Sequence, residues 1–218
     1  MGARGSFNGR KRRFPARAVG CGVTEQDVRS TADAFVATGM KDAGYEYVNV
    51  DDCWMAMNRT AEGKFRTRSH CRCVLLPIHF IPKSLKYSVS RFLNRQCDRT
   101  LGKLTHDPQR FPSGMKALAN YVQGKGLKFG LYSARCGKTC QGRPASQDHE
   151  WVDAETFASW DVDYLKYDNC MECKYGYTSE AYIMQVTRMG DAIRAAGRPI
   201  FYSTVRARPG RLSALSVP

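Results

Sequence analysis

The chain has 218 residues, with 34 Lys and Arg against 20 Asp and Glu, a net charge of +14 and 43% hydrophobic residues. That is enough for one globular core, and no apolar run approaches the roughly 20 residues a membrane-crossing helix needs. The charge invites a polyanionic partner, yet residues 1–19 hold six basic residues and no acid, residues 66–104 hold nine against Asp98 alone, and residues 205–218 hold three and no acid. The remainder is slightly acidic, so a nucleic-acid-binding role would rest on peripheral segments alone, and no nucleic-acid partner is expected.

Residues 1–19 are basic and irregular, with no apolar core of a signal peptide. Thr24 and Glu25 open a helix running to about Thr38, with Gly39 as its stop. Tyr45–Val50 reads as a strand leading into Asp51-Asp52-Cys53-Trp54. Residues 66–106 form a basic insert with scattered apolar residues and no period. An irregular stretch of that length is uncommon inside a compact domain. Retained non-coding sequence is the favoured explanation, and a membrane-surface or partner-binding insertion the alternative. Ser113 caps a helix through Gln123 that ends at Gly124 and Gly126, and the strand Leu127–Tyr132 follows. Ala154–Trp160 is a short helix, Val162–Tyr167 a strand, and Glu180–Ala196 a longer helix stopped by Gly197. Pro199–Ser203 begins another strand, and residues 205–218 are an irregular tail. This alternation predicts an α/β fold with a parallel sheet, built from residues 20–65 and 107–204.

Chemistry gathers at the strand ends. Lys166 and Asp168 are two apart, so they face the same side of a strand. A carboxylate held beside an ammonium stays ionised and suits nucleophilic attack, although a structural Lys–Asp pair reads the same way. Asp51 and Asp52 beside Trp54 suit vicinal sugar hydroxyls, with the indole covering the apolar side of the ring. A divalent metal would need more oxygens than two neighbours supply, and a solvated acidic turn is the bland alternative. Nine cysteines and the triplet Asn58-Arg59-Thr60 suggest secretory ancestry. Cys170-Met171-Glu172-Cys173 has zinc-type spacing, but no second such pair completes a site. No metal and no cofactor are predicted.

Gly44–Trp54 (GYEYVNVDDCW), Phe111–Tyr132 (FPSGMKALANYVQGKGLKFGLY) and Thr156–Cys170 (TFASWDVDYLKYDNC) closely resemble the α-galactosidases (melibiases) of glycoside hydrolase family 27. Three motifs in the family's order make the resemblance specific, over about Cys21–Phe65 and Asp107–Ser203. It implies part of a (β/α)₈ barrel, from about the second strand to the fifth, interrupted by the long irregular insert. It also implies retaining hydrolysis of terminal α-D-galactosyl residues on oligosaccharides or glycoconjugates. Asp168 then matches the nucleophile and Lys166 the residue that keeps it ionised. Asp51 and Asp52 match the pair that holds the galactose hydroxyls, with Trp54 and Tyr132 lining the pocket. The resemblance pairs Cys21 with Cys53 and Cys140 with Cys170, and leaves Cys136 and Cys173 without assigned partners. Family members are secreted, lysosomal or vacuolar, and a homo-oligomer is compatible with the exposed sheet edges expected here.

The departures from the family are definite. Ala134 stands where the family has Asp, and Arg135 adds bulk near the expected pocket. Ser203-Thr204-Val205 replaces a Cys-Glu-Trp-like motif, and no residue here matches the family's acid/base Asp. Impaired hydrolysis is therefore expected of this chain, with a carbohydrate-binding remnant as the alternative. The α-N-acetylgalactosaminidases share the same strand-end motifs.

Overall fold

The computed structural model describes residues 20–60 and 102–205. Four strands, β1 (Tyr47–Asn49), β2 (Lys128–Ala134), β3 (Tyr164–Asp168) and β4 (Phe201–Thr204), alternate with four helices. The helices are α1 (Glu25–Ala37), α2 (Gly114–Gly124), α3 (Glu150–Ser159) and α4 (Ser179–Ala196). The strands lie in the order β1-β2-β3-β4, each pair parallel, as the alternation predicts. All carboxyl ends therefore emerge on one rim. The result is a partial (β/α)₈ barrel of four consecutive units.

One sheet face packs on the helices. Val48, Phe129, Leu131, Leu165 and Tyr167 are buried there against Leu118 and Val122 of α2, Phe157 of α3 and Met189 of α4. The opposite face carries Tyr47, Tyr164 and Phe201 in ring contact, with Phe201 61% exposed. Gly130 lies between β1 and β3 on that face. A Cβ there would collide with the Asn49 side chain and touch Tyr164, so only glycine fits this register.

The helix termini show which local signals were sufficient. Thr24 accepts from the Asp27 amide at 3.3 Å while Asp27 accepts from the Thr24 amide at 2.9 Å, a reciprocal capping box at the start of α1. Ser113 precedes α2 as predicted but makes no side-chain cap, because its backbone is already helical. Glu25 of α1 substitutes by accepting from the Ser113 amide at 3.0 Å. Helix α3 begins four residues before the predicted Ala154. Glu150, Trp151, Val152 and Asp153 are all buried, so this turn has no polar face to give it a period.

Residues 102–106, which the sequence assigns to the insert, belong to the folded body. The Ala56 amide donates to Thr105 O and the Thr60 amide to Lys103 O, each at 2.9 Å, and Leu104 is buried. Arg59 locks this junction. Its guanidinium reaches both Asp153 oxygens at 2.7 Å, Ala145 O at 2.6 Å and Gly102 O at 3.1 Å. Such short non-local pairings leave no periodic trace in sequence. The predicted irregular segments at 1–19 and 206–218, and Cys71, Cys73 and Cys97, lie outside the described residues.

Candidate active site

Parallel strands bring Asp51, Asp52, Tyr132, Lys166 and Asp168 to the same rim. Asp51 and Asp52 follow β1, while Tyr132 sits opposite Lys166 and Ala134 opposite Asp168 in the β2–β3 register. Alternation puts Tyr132, Lys166 and Asp168 on the face turned from the helices.

Tyr132 is buried, and its hydroxyl donates to Asp168 Oδ2 at 3.2 Å. Burial raises its pKa, and the negative charges of Asp168 and Asp52 add to the rise, so the phenol stays a proton donor. The second Asp168 oxygen accepts from the Asn169 amide at 2.7 Å. Both donors fix the direction of the carboxylate.

Lys166 holds a different partner from the one expected. Its Nζ donates to Asp51 Oδ2 at 2.8 Å and lies 5.0 Å from the centre of the Tyr132 ring. The extended backbone places Lys166 and Asp168 side by side, but the longer lysine reaches across β2 to the carboxylate beyond β1. Asp52 turns the other way and accepts from the Gln141 amide at 2.9 Å. A cleft of about 560 Å³ between α1 and β1 takes in Asp51, Asp52 and Gln141, but neither Lys166 nor Asp168. The cleft and the chemistry thus share only the acidic pair.

Two expectations fail here. Trp54 does not line the pocket. It is fully buried, its Nε1 donates to Tyr132 O at 2.9 Å, and it meets Phe157 and Trp160 edge to face. The preceding Cys53 has φ of 72°, which turns the chain so that the indole enters the helix-side core. Arg135 does not crowd the mouth either. It is buried behind it, donating to Asn169 Oδ1 at 2.6 Å and Gly176 O at 3.2 Å, with Tyr177 and Tyr182 rings each 5.5 Å away and Gln185 bonded to it. Through Asn169 it braces the residue next to Asp168, a role no strand-end reading anticipates.

Among the described residues, three disulfides hold the rim. Cys21 joins Cys53 and Cys140 joins Cys170, as the resemblance implies, with Cα separations of 5.0 and 4.8 Å. Cys136 joins Cys173, with Cα atoms 4.3 Å apart. This third bond was legible in principle. Segments 136–140 and 170–173 run antiparallel, bridged at Lys138 and Met171, so one cross-link implies the other. Cys140, Asp168 and Cys170 lie within 4.8 Å of one another, but the disulfide consumes both sulfurs and leaves a single carboxylate for a metal.

Known proteins resemble this chain in sequence and in fold. The family model described as Alpha galactosidase A matches residues 17–75 and 87–208. An alpha-galactosidase of Oryza sativa subsp. japonica is 41% identical over 184 residues, covering 84% of this chain and 34% of that protein. Alpha-galactosidase A of Cellvibrio japonicus is 40% identical over 188 residues, with the same two coverages. Among solved structures, alpha-galactosidase I from Mortierella vinacea has a TM-score of 0.65 and 33% identity, covering 86% of this chain and 37% of that one. The Saccharomyces cerevisiae alpha-galactosidase with raffinose has a TM-score of 0.65 and 31% identity, covering 88% and 33%. The chain spans about a third of the length of the curated relatives it matches.

Proposed function

Since this chain belongs to the alpha galactosidase A family, we propose that its strand-end cluster is the nucleophile-bearing and hydroxyl-binding part of a glycosidase site that releases terminal α-galactosyl residues with retention. The observation that carries the reading is the meeting of Asp51, Lys166, Tyr132 and Asp168 at the ends of three neighbouring parallel strands.

Asp168 is the nucleophile. Its oxygen attacks the anomeric carbon, the bond to the leaving-group oxygen breaks, and water later releases the sugar. Tyr132 and the Asn169 amide hold the carboxylate in a fixed direction. Lys166 and Asp51 offer a charged donor and acceptor to sugar hydroxyls, which replace their mutual contact when substrate enters. Asp52 adds a second acceptor. Retention also needs an acid/base carboxyl about 5–5.5 Å from the nucleophile, and we assign none among the described residues. Assistance of that kind contributes on the order of 10²–10⁴ in rate, so substrates with good leaving groups suit this chain best. The substrate class is a terminal α-galactoside of an oligosaccharide or glycoconjugate. Three disulfides support folding in a secretory compartment.

The test is to incubate the chain with an activated 2-fluoro-α-galactosyl donor and map the labelled peptide. Label on Asp168, lost in Asp168→Asn, is expected. Label on Asp51 or Asp52, or undiminished label in Asp168→Asn, would overturn the assignment.

A further inference from the structure

We propose that Asn58 is an N-glycosylation site, modified before the surrounding segment folds. Asn58-Arg59-Thr60 is the single Asn-x-Ser/Thr triplet in the sequence, and Arg59 is compatible with the acceptor motif. Asn58 is exposed in a non-helical, non-strand segment, and its amide has no partner among the described residues. Arg59 faces inward and is held by Asp153, which leaves Asn58 pointing to solvent beside the exposed Met57. The three joined cysteine pairs place folding in the type of compartment where glycan transfer occurs. These observations are independent of the catalytic assignment.

The timing follows from Thr60. A glycosyltransferase must read its hydroxyl in a free, extended acceptor. In the folded chain that hydroxyl accepts from the Lys103 amide at 2.7 Å, and the Thr60 amide donates to Lys103 O at 2.9 Å. Folding therefore occupies the recognition element while the Asn58 side chain stays exposed. In the transfer itself, Asn58 Nδ2 bonds to the anomeric carbon of a polyprenyl-diphosphate oligosaccharide. The carbon–oxygen bond to the diphosphate breaks, the lipid diphosphate leaves with the electron pair, and one amide proton passes to a base of the transferase.

The experiment expresses the 218-residue chain behind a secretion leader in a eukaryotic host and maps its disulfides and Asn58 peptide. Expected are loss of glycan mass on peptide N-glycosidase treatment with conversion of Asn58 to Asp, complete loss of the modification in Asn58→Gln and Thr60→Ala, and retention in Thr60→Ser. Asn58→Gln leaves the Lys103 contact intact and separates loss of the acceptor from loss of folding. Unmodified Asn58 in a secreted chain that carries the Cys140–Cys170 bond would overturn the proposal. In microsomes supplied with donor, the reduced, unfolded chain is expected to be modified at least tenfold faster than the oxidised, folded chain. Equal rates would overturn the timing.

Discussion

Lys166 of β3 donates to Asp51 beyond β1 at 2.8 Å, crossing the whole width of β2. Both side chains are open to water, at 35% and 66% exposure. An exposed pair of this kind contributes at most about 1 kcal/mol to stability, so its position at the mouth indicates binding. Under the proposed function galactose raises the melting temperature, and Lys166→Met should abolish that rise while changing unfolding free energy by less than about 1 kcal/mol. A large loss of stability with the galactose response intact would make the pair structural.

Trp54 separates the core reading from the pocket reading. Burial and the bond to Tyr132 O predict that Trp54→Ala costs about 3–5 kcal/mol, measured by urea unfolding. A sugar-stacking Trp would instead be nearly neutral for folding and severe for galactose binding. Trp54→Phe, which keeps an aromatic ring but strands the carbonyl and leaves a small cavity, should cost at least about 1–3 kcal/mol.

The Cys136–Cys173 bond closes a loop over 37 positions of sequence separation. Replacing both cysteines with serine should lower stability by about 2–5 kcal/mol. It should also loosen the segment that carries Arg135 and Asn169, read as faster amide exchange at Asn169. Peptide mapping that finds Cys136 and Cys173 free under oxidising conditions would contradict the pairing.

Alkaline pH should unfold the chain earlier than its charge alone suggests. Burial raises the pKa of Tyr167 and Tyr132, with nearby Glu150 adding for Tyr167 and Asp168 for Tyr132. A raised folded pKa means the stability is fully present below the unfolded tyrosine value of about 10 and is lost as pH climbs above it. Unfolding midpoints measured from pH 8 to 11 should fall above pH 10. Tyr167→Phe, which also removes a buried hydroxyl with no partner among the described residues, should flatten that fall.

Much of this architecture was legible locally. Thr24 with Asp27, and Gly197 in the left-handed conformation after α4, mark helix ends through groups a few residues apart. The alternation of helix and strand patterns sufficed for parallel order, because parallel neighbours require crossovers and helices supply them. Strand polarity then put Asp51, Asp52, Lys166 and Asp168 on one rim without further information.

The tertiary structure decided which of those groups touch and which side chains leave the site. Lysine reach and strand spacing join Lys166 to Asp51, while the tyrosine hydroxyl takes Asp168. The positive φ of Cys53 sends Trp54 into the core, and Arg135 lies behind β2 because its partners Asn169 and Gln185 come from later units. Local pattern encodes the face and end of an element, since these depend on residues a turn or a pleat apart. Partner choice depends on side chains 30 to more than 100 positions away meeting in three dimensions, as between Lys166 and Asp51 at a separation of 115, and only the folded chain specifies it.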